Sequence, residues 1–318
     1  MRALVTGGAG FIGTHLVERL LNEGYEVVVV DNFTLGKREN VTKFSDNPNY
    51  KFYEIDIDKT EEFCEELKDE KIDIVYHLAA NSDIQKGGKN PSVDYGDTFM
   101  TTYGVLELMR RNGIKNLFFS STSAIYGDEH GKMLTEDLGG LLPISYYGGA
   151  KFASENFISS YSYMNDFNTM IFRFPNVIGP NLTHGVIFDF TKKLKNNPNE
   201  LEILGDGTQT KPYIYVLDLV DCIMMMTKTI PNGVSIYNVG VETATSVTRI
   251  ADIVCEVLGY ENVKYNYTGG NVGWKGDVPK FQYNLSKIHN AGWHANHTSD
   301  EAVRETAKFI KENYLWKQ

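Results

Sequence analysis

Apolar and polar positions alternate with two different periods along the first half of the chain. Short apolar runs predict buried strands, and longer segments with apolar residues three or four positions apart predict helices. The strands are expected at residues 3–5, 27–30, 51–57, 72–78, 116–121 and 169–174. The helices are expected directly after Gly10 and at residues 60–70, 94–112 and 147–163, and a Gly/Asn/Pro-rich loop is expected at residues 87–91.

The alternation of strand and helix indicates repeated βαβ units, which form a parallel, doubly wound sheet. Right-handed crossovers in such a sheet place the ligand at the carboxyl ends of the strands. Polar residues collect at these predicted ends, namely Asp31, Asp56, Asn81-Ser82 and Thr122-Ser123. We therefore expect an α/β protein with its binding site along this edge of the sheet.

Beyond Pro180 the pattern changes to short helices and strands separated by turn residues. Helices are predicted at residues 216–228 and 246–258, the second ended by Gly259. A capping box at residues 298–301 predicts the start of the last helix. The three consecutive methionines at residues 224–226 are expected to fill the core rather than to form a functional patch.

The composition narrows the classes of partner. The 318 residues include 31 Lys and Arg against 41 Asp and Glu, a net charge of −10, which argues against nucleic acids and anionic membranes. The three cysteines, Cys64, Cys222 and Cys255, show neither metal-ligand spacing nor a disulfide framework. No metal is therefore expected, and free thiols fit a protein of a reducing compartment.

There is no room for a signal peptide before the first strand, and no apolar run approaches the ~20 residues that cross a bilayer, so we expect a soluble, cytoplasmic protein.

A glycine-rich turn, Thr6-Gly7-Gly8-Ala9-Gly10-Phe11-Ile12-Gly13, joins the first strand to the first helix. Glycines let the backbone approach phosphates, and the helix N-terminus offers free N–H groups and a positive dipole end. Asp31 closes the second strand 18 residues after Gly13, near the ~20 residues expected for a carboxylate that binds ribose hydroxyls. The arrangement predicts a dinucleotide-binding turn; a purely steric turn is the alternative.

Tyr147 and Lys151 form a second chemical pattern, because positions i and i+4 share one face of a helix. The lysine charge, with a nearby oxidised nicotinamide, is expected to lower the tyrosine pKa from about 10, so that a tyrosinate acts as general base on a substrate hydroxyl. An ordinary aromatic beside a surface lysine is the alternative, and Tyr146 is a neighbouring candidate. Gly148 and Gly149 each cost a helix interior ~1 kcal/mol relative to Ala, which predicts a closely packed first turn, with the cofactor as one candidate neighbour.

With Thr122 upstream, these motifs resemble the extended short-chain dehydrogenase/reductases, and within them the nucleotide-sugar branch typified by UDP-glucose 4-epimerase. The resemblance covers nearly the whole chain and is carried by residues 6–13, 31–32, 56–57, 77–80, 121–127, 147–151, 173–180, 205–216 and 276–277. It implies a Rossmann fold with an NAD-binding domain over residues 1–175. It also implies a smaller C-terminal lobe over residues 176–318 that mainly binds the substrate, with some segments returning to the sheet.

The resemblance implies roles for individual residues in binding NAD. The implied cofactor-binding residues are Gly7, Gly10, Phe11, Ile12 and Gly13 at the pyrophosphate, Asp31 and Asn32 at the adenosine ribose with Leu35 and Gly36 nearby, Asp56 and Ile57 at the adenine, Leu78, Ala79 and Ala80 along the cofactor, and Tyr147 and Lys151. An acidic Asp31 repels a 2′-phosphate, so NAD is expected rather than NADP, although Lys37 and Arg38 follow nearby.

The implied catalytic residues are Thr122, Tyr147 and Lys151. Thr122 would hydrogen-bond the sugar hydroxyl and the tyrosine, Tyr147 would be the base, and Lys151 would bind the nicotinamide ribose. Asn176 and Lys211 fall where the family contacts the nucleotide diphosphate, although Lys211 replaces the usual Arg and loses bidentate phosphate binding. The further substrate-binding candidates are Ser82, Thr122, Ser123 and Asp277.

The residue two positions after Thr122 narrows the reaction. In the family that the chain resembles, 4,6-dehydratases carry an acid pair or a Glu there, sugar-acid decarboxylases carry Glu, and 3,5-epimerase/reductases carry Cys. Ala124 in this chain transfers no proton. The resemblance therefore implies oxidation at the sugar C4 and, as the leading hypothesis, a nucleotide-sugar 4-epimerase. The alternatives are a 4-dehydrogenase acting on a GDP-hexose or GDP-heptose of capsule synthesis, and a dinucleotide-binding regulator without turnover.

The family also implies a homodimer or larger homo-oligomer, which pairs the helix after Asp94 with the helix that carries Tyr147. The apolar and aromatic residues offered for this contact are Phe152, Phe157, Tyr161 and Met164. Packing of these residues into their own core is the alternative, because helical periodicity does not distinguish the two arrangements.

Overall fold

A computed structural model describes residues 1–182, 184–270, 273 and 276–315. The strands in this part of the chain are β1 (Arg2–Thr6), β2 (Glu26–Asp31), β3 (Tyr50–Glu54), β4 (Ile74–His77), β5 (Asn116–Thr122), β6 (Met133–Leu134), β7 (Asn168–Phe174), β8 (Asn176–Ile178), β9 (Glu200–Ile203), β10 (Thr210–Lys211), β11 (Tyr213–Tyr215), β12 (Val234–Asn238), β13 (Thr245–Ser246), β14 (Lys264–Tyr267) and β15 (Gln282–Tyr283). The α-helices are α1 (Phe11–Asn22), α2 (Arg38–Thr42), α3 (Thr60–Glu66), α4 (Ile84–Lys89), α5 (Pro91–Asp94), α6 (Thr101–Asn112), α7 (Tyr146–Asn165), α8 (Val186–Asn196), α9 (Val216–Met226), α10 (Val247–Leu258), α11 (Ser286–Asn290) and α12 (Ser299–Ile310). A 3₁₀ turn lies at Ser123–Tyr126, and π-helical turns lie at Tyr95–Met100 and Lys311–Leu315.

Seven strands form the central sheet in the order β12-β7-β5-β4-β1-β2-β3. The strands from β3 to β5 in this order pair in parallel, and Thr6 at the end of β1 lies opposite Val30 on one side and His77 on the other. The strand order reverses at β1, so the carboxyl ends of β1 and β4 form the switch point at which doubly wound sheets bind their ligands. The predicted Rossmann-type α/β sheet is confirmed.

The central strands read as continuous apolar runs because they are buried on both faces. The four valines at residues 27–30 of β2 are at most 1% exposed. Leu4 of β1 packs in one core cluster with Phe63 of α3, Leu106 of α6 and Phe119 of β5. Burying each such side chain contributes about 1.5–3 kcal/mol relative to leaving it in water.

The third strand and the helix after it are shorter than predicted. Strand β3 ends at Glu54, so Asp56 follows the strand instead of closing it, and α3 ends at Glu66 instead of residue 70. The carboxylate of Glu70 turns toward β3, where it accepts hydrogen bonds of 2.6 Å from both Lys51 and the hydroxyl of Tyr53. A part-buried, charged hydrogen-bond network around Glu70 thus takes the place of the last helical turn.

The loop predicted at residues 87–91 is wrong, because this segment belongs to helices α4 and α5. The side chains of Asp83 and Asn90 cap the two helices by accepting hydrogen bonds from first-turn N–H groups. Gly87 lies within α4, and close packing explains why this position is a glycine. A Cβ there would lie 2.0 Å from Oδ2 of Asp94. The Gly/Asn/Pro composition therefore reflects caps and close packing rather than a loop.

The helices predicted in the second half are confirmed, with ends within two residues. Ser246 caps α10 by accepting a hydrogen bond from the N–H of Arg249, and Gly259 ends it with φ 80°. The capping box at Thr298 and Glu301 is formed. Met224 of α9 is buried, as expected of a residue that fills the core.

The chain divides into two compact units. Unit 1 consists of residues 1–127, 140–173 and 223–237, and unit 2 consists of residues 128–139, 174–222 and the described residues from 238 onward. Unit 2 contains the strand pairs β8–β11, β9–β14, β10–β13 and β6–β15, and its helices α8, α10 and α12 pack against one another. Among the described residues, none of the helices has the length and apolar character that a bilayer crossing requires.

Candidate active site

The glycine turn after β1 is shaped by contacts that leave no space for side chains. Gly7 has φ 73°, and a Cβ on it would lie 2.7 Å from the backbone nitrogen of Ala79. A Cβ on Gly13 would lie 2.2 Å from the carbonyl oxygen of Gly7. Gly10 begins α1 without a side-chain cap, so the first N–H groups of this helix are left for an anion. The half-buried residues of this first turn are Phe11 and Ile12.

Asp31 at the end of β2 is held by backbone groups. Its Oδ2 accepts a hydrogen bond of 3.0 Å from the N–H of Ala9, and its Oδ1 accepts one of 2.8 Å from the N–H of Phe33. Burial raises the pKa of Asp31, and these backbone hydrogen bonds oppose the rise. A Cβ on Gly36 would lie 2.7 Å from Oδ1. Each carboxylate oxygen keeps a second lone pair, which can accept a ribose hydroxyl.

The residues predicted around the adenosine have different surroundings. Asn32 donates a hydrogen bond of 2.6 Å to Asp56. Leu35 is exposed, whereas the side chain of Ile57 packs in the apolar core. Arg38, one of the two cations that follow Asp31 in sequence, donates two hydrogen bonds, of 2.9 and 2.7 Å, to the carboxylate of Glu54, which neutralises its charge.

A buried histidine fixes the switch point between β1 and β4. Nδ1 of His77 lies 2.7 Å from the hydroxyl of Thr6, and Nε2 lies 3.1 Å from the hydroxyl of Thr102. Burial lowers the pKa of His77, so the ring is neutral and bridges two elements. The half-buried segment that follows it, against the glycine turn, consists of Leu78, Ala79 and Ala80.

Tyr147 lies in the first turn of α7. Ser145 caps this helix by accepting a hydrogen bond of 3.1 Å from the N–H of Gly148. A Cβ on Gly148 would lie 2.4 Å from the carbonyl oxygen of Ala124, whereas a Cβ on Gly149 would meet nothing within 4 Å. The close packing predicted for this turn is confirmed at Gly148, and its neighbour is protein backbone.

A side-chain hydrogen bond joins Tyr147 to Thr122. Burial raises the pKa of Tyr147 to about 12, the hydrogen bond to Thr122 opposes the rise, and the charge of Asp94 adds to it. In the protein alone this pKa is therefore raised, because desolvation disfavours the phenolate. The lowering expected from Lys151 together with an oxidised nicotinamide stays a prediction for the cofactor-bound protein.

Lys151 is buried one helical turn after Tyr147. Its Nζ donates a hydrogen bond of 2.7 Å to the carbonyl oxygen of Ser120 and lies 4.6 Å from the centre of the Phe119 ring. Burial lowers the pKa of Lys151 to about 7, and the charge of Glu155 opposes this change. The alternative of a surface lysine beside an ordinary aromatic does not hold.

Sequence reasoning missed a buried network behind Lys151. Arg173 donates hydrogen bonds to Glu155, the shortest of 2.7 Å, and one of 3.0 Å to the hydroxyl of Tyr126. Ser121 also donates to Glu155. The network ties β5 and β7 to α7, and its sequence signal is the position of Glu155 four residues after Lys151, on the same helix face.

Sequence reasoning also missed Asp94, which is buried at the end of α5. Its Oδ1 accepts a hydrogen bond of 2.8 Å from Asn81, whereas its Oδ2 has no partner among the described residues. Burial raises the pKa of Asp94, and its charge acts on Tyr147. A buried carboxylate therefore belongs to the electrostatic surroundings of the tyrosine.

Three predicted substrate residues lie together in unit 2, around the buried Tyr213. Asn176 pairs with Tyr213 between β8 and β11, and their side chains are hydrogen-bonded. Lys211 forms an ion pair with Asp277, whose charge also acts on Tyr213. Sequence reasoning missed Tyr213. In unit 1, Ser82 is exposed and Ser123 is half-buried at the start of the 3₁₀ turn.

The geometry of unit 1 fits NAD. Gly7 and Gly13 of the turn leave no space for a Cβ, the uncapped start of α1 can bind a pyrophosphate, and Asp31 stands at the end of the next strand as an acceptor for ribose hydroxyls. The side chains of Thr122, Tyr147 and Lys151 lie at the end of β5 and on α7 of the same unit. Together they can transfer a proton to or from a hydroxyl group.

Comparisons with known proteins agree with this geometry. The family model of the NAD dependent epimerase/dehydratase family matches residues 3–240. A UDP-glucose 4-epimerase of Lactobacillus helveticus is 30% identical over 96% of each chain. The structure of a UDP-glucose 4-epimerase from Thermotoga maritima with UDP-glucose has a TM-score of 0.88 and 30% identity, over 98% of this chain and 99% of that chain. A dTDP-glucose 4,6-dehydratase from Streptomyces venezuelae with NAD has a TM-score of 0.90 and 26% identity, over 99% and 98%.

Proposed function

The chain belongs to the NAD dependent epimerase/dehydratase family, and from this premise we propose that it is an NAD-dependent nucleotide-sugar 4-epimerase. The observation that carries the proposal is the cluster of Thr122, Tyr147 and Lys151 with Ala124 beside it. The cluster supplies a proton acceptor for the C4 hydroxyl of a sugar. Ala124 supplies no second acid or base, which the elimination of water would need.

The residues of the cluster have separate tasks. Tyr147 takes the proton of the C4 hydroxyl as the sugar is oxidised and returns it after the 4-keto sugar has turned its other face. Thr122, hydrogen-bonded to Tyr147, orients the phenol and the sugar hydroxyl. A protonated Lys151 favours the phenolate against the effect of burial. NAD, when bound, supplies a reversible hydride acceptor.

The fold alone does not decide between the reactions of this family, since an epimerase and a dehydratase both match the structure closely. Ala124 favours the epimerase. The names of the curated relative and of the Thermotoga maritima protein support inversion at C4 over net oxidation.

We propose a UDP-sugar as the substrate class, as in the Thermotoga maritima structure. Asn176, Lys211 and Asp277 are proposed to recognise the nucleotide diphosphate, with Lys211 as a point charge that Asp277 holds in place. Ser82 and Ser123 are proposed to contact the sugar.

Purified protein with NAD is to be incubated with UDP-glucose, UDP-N-acetylglucosamine and a GDP-heptose, and the products followed by NMR. A C4-inverted sugar without accumulating NADH supports the proposal. A 4-keto sugar with stoichiometric NADH would instead identify a 4-dehydrogenase. Binding of NAD without turnover of any of these sugars would indicate a regulator.

Two adjacent tyrosines provide a matched control for the active site. Tyr147→Phe is expected to abolish turnover while NAD binding is kept, because only the proton-transferring oxygen is lost. Tyr146→Phe changes the exposed neighbour and is expected to leave turnover within about twofold, consistent with the small effects of surface substitutions. Equal effects of the two substitutions would remove Tyr147 from its role.

A homodimer is part of the proposal. Aromatic side chains from two helical segments of unit 1 contact each other, with Phe99 and Phe157 edge to face at 5.0 Å. Tyr95 and Met164, on the same two segments, are exposed. A second copy of this surface would bury it. Met164→Asp is expected to shift the protein from dimer to monomer in light scattering; an unchanged mass would place the interface elsewhere.

A cytoplasmic location and a role in supplying sugars for polysaccharides also belong to the proposal. The three described cysteines are buried, free thiols, which suits a reducing compartment. Fractionation of the native host tests the location.

A further inference from the structure

We propose that Glu242, His289 and His294 form a binding site for one borderline divalent transition metal ion such as Zn²⁺. All three residues belong to unit 2. None of them has a part in the proposed reaction, so the inference stands apart from the epimerase activity.

The three side chains converge without a metal. One ligand atom of each residue lies within 4.8 Å of those of the other two. Nδ1 of His289 lies 3.7 Å from a carboxylate oxygen of Glu242, and the rings of His289 and His294 stack with centroids 4.1 Å apart and 24° between their planes. Ligand atoms bound to one zinc ion at about 2.1 Å lie about 3.4 Å apart in a tetrahedral site. To complete the cluster, the three ligand atoms must therefore draw closer, and the stacked rings must turn until a nitrogen of each faces the ion.

The backbone places the two histidines. The N–H of Gly292 donates a hydrogen bond of 2.8 Å to the carbonyl oxygen of His289, and the N–H of Trp293 donates one of 3.3 Å to that of Ile288. Ile288 and Trp293 are buried, and Gly292 has φ 92°, which lets the chain reverse tightly. The turn brings His294 back against His289 without any contribution from a ligand.

Glu242 comes from a different segment, the connection between β12 and β13. Val239 and Val241, just before it, are buried and anchor this connection. The carboxylate itself is 75% exposed, so water can reach the site and fill the remaining coordination positions. A bound ion would therefore join two segments of unit 2 that are 47 residues apart in sequence.

The donor set selects the class of metal. Imidazole nitrogens suit Zn²⁺, Ni²⁺, Cu²⁺ and Co²⁺, whereas Mg²⁺ and Ca²⁺ prefer oxygen ligands throughout. Among the residues that the structure describes, this is the one cluster of three or more His, Cys, Asp or Glu side chains with metal-binding spacing. The sequence did not predict this site. The expectation of no metal rested on the spacing of the cysteines, and Glu242 is distant in the chain from the two histidines.

The test is calorimetric titration of the metal-free, full-length protein with Zn²⁺, with Co²⁺ absorption as a measure of the ligand set. We expect one ion per chain, and we expect His289→Ala and His294→Ala each to lower the affinity by about tenfold or more, since loss of even a supporting residue costs that much. Glu242→Gln should weaken binding to a smaller extent, because an amide oxygen remains.

His130→Ala is the matched control, because His130 is an exposed histidine of unit 2 that lies 3.6 Å from one carboxylate, Asp128. The affinity of the His130→Ala variant for Zn²⁺ should equal that of the unchanged protein. Circular dichroism and the melting temperature without metal check that each variant is folded. Failure of the unchanged protein to bind Zn²⁺, or equal binding by a folded His294→Ala variant, would overturn the inference; either result leaves the epimerase assay unaffected.

Discussion

The ammonium of Lys151 donates a hydrogen bond of 2.7 Å to the carbonyl oxygen of Ser120, although only 2% of Lys151 is exposed. One carbonyl does not replace the water that the charge has lost, so burial lowers the pKa of Lys151 to about 7. A free lysine in an unfolded chain titrates at about 10.4. Between these two values the unfolded chain binds one proton more than the folded protein.

The free energy of unfolding is therefore expected to rise with pH between about 7 and 10.4 through this group. Below pH 7 both states carry the proton, and the cost of burying the charge is present in full. Lys151→Met removes the titrating group and should flatten the rise. Urea unfolding of both proteins at pH 7 and pH 9.5 measures the difference. The same pH dependence in both would show that Lys151 keeps its ordinary pKa.

Glu155 is expected to be a large source of stability. Glu155→Gln leaves the buried guanidinium of Arg173 without its counter-charge, which costs about 3–5 kcal/mol for a buried pair. Glu18→Gln is the control, because its ion pair with Lys43 is exposed and such pairs contribute about 0–1 kcal/mol. Urea unfolding at pH 7 compares the variants, and equal losses would contradict a special role for Glu155.

The charge of Asp94 is expected to set part of the pH dependence of catalysis. Asp94→Asn keeps the shape and removes a charge that raises the pKa of Tyr147, so that pKa should fall. Because catalysis needs the phenolate, the acidic limb of the pH profile of kcat/KM should move to lower pH.

Asp97→Asn is the control for this shift, because Asp97 lies one turn further along the same helical segment and its charge is not among those that act on Tyr147. An acidic limb that stays in place in Asp94→Asn, or moves equally in both variants, would separate Asp94 from the tyrosine.

The fold, and the proximity of Tyr147 to Lys151 on one helix, could be predicted from the sequence because their signals are local. The valines of β2, the glycine turn and the i, i+4 spacing of Tyr147 and Lys151 each depend on neighbours in the chain. The parallel, doubly wound sheet then followed from general rules of βαβ connection.

Properties that depend on distant neighbours could not be predicted. The pKa of Tyr147 was expected to fall, because the spacing places a lysine nearby. The spacing does not show that burial of the phenol has the largest effect on this pKa in the protein alone. Asp94 is indistinguishable in sequence from a surface carboxylate, since only tertiary packing buries it. Gly87 was interpreted as a loop residue for the same reason: the carboxylate of Asp94, packed against it, is seven residues away.

Gly148 and Gly149 are neighbours in the first turn of α7, and we expect opposite effects from replacing them with alanine. A Cβ on Gly148 would lie 2.4 Å from the carbonyl oxygen of Ala124 and 3.2 Å from the side chain of Pro143, so the helix start must move away from the end of β5. A Cβ on Gly149 meets nothing within 4 Å, and alanine favours a helix by about 1 kcal/mol over glycine.

Gly149→Ala should therefore raise the free energy of unfolding by up to about 1 kcal/mol with turnover kept, as expected for a helix position with open space. Gly148→Ala should lower both stability and kcat, because the displaced turn carries Tyr147 away from Thr122. Urea unfolding and initial rates on the two variants provide the comparison. Normal kcat in a folded Gly148→Ala variant would mean that the contact with Ala124 does not position the tyrosine.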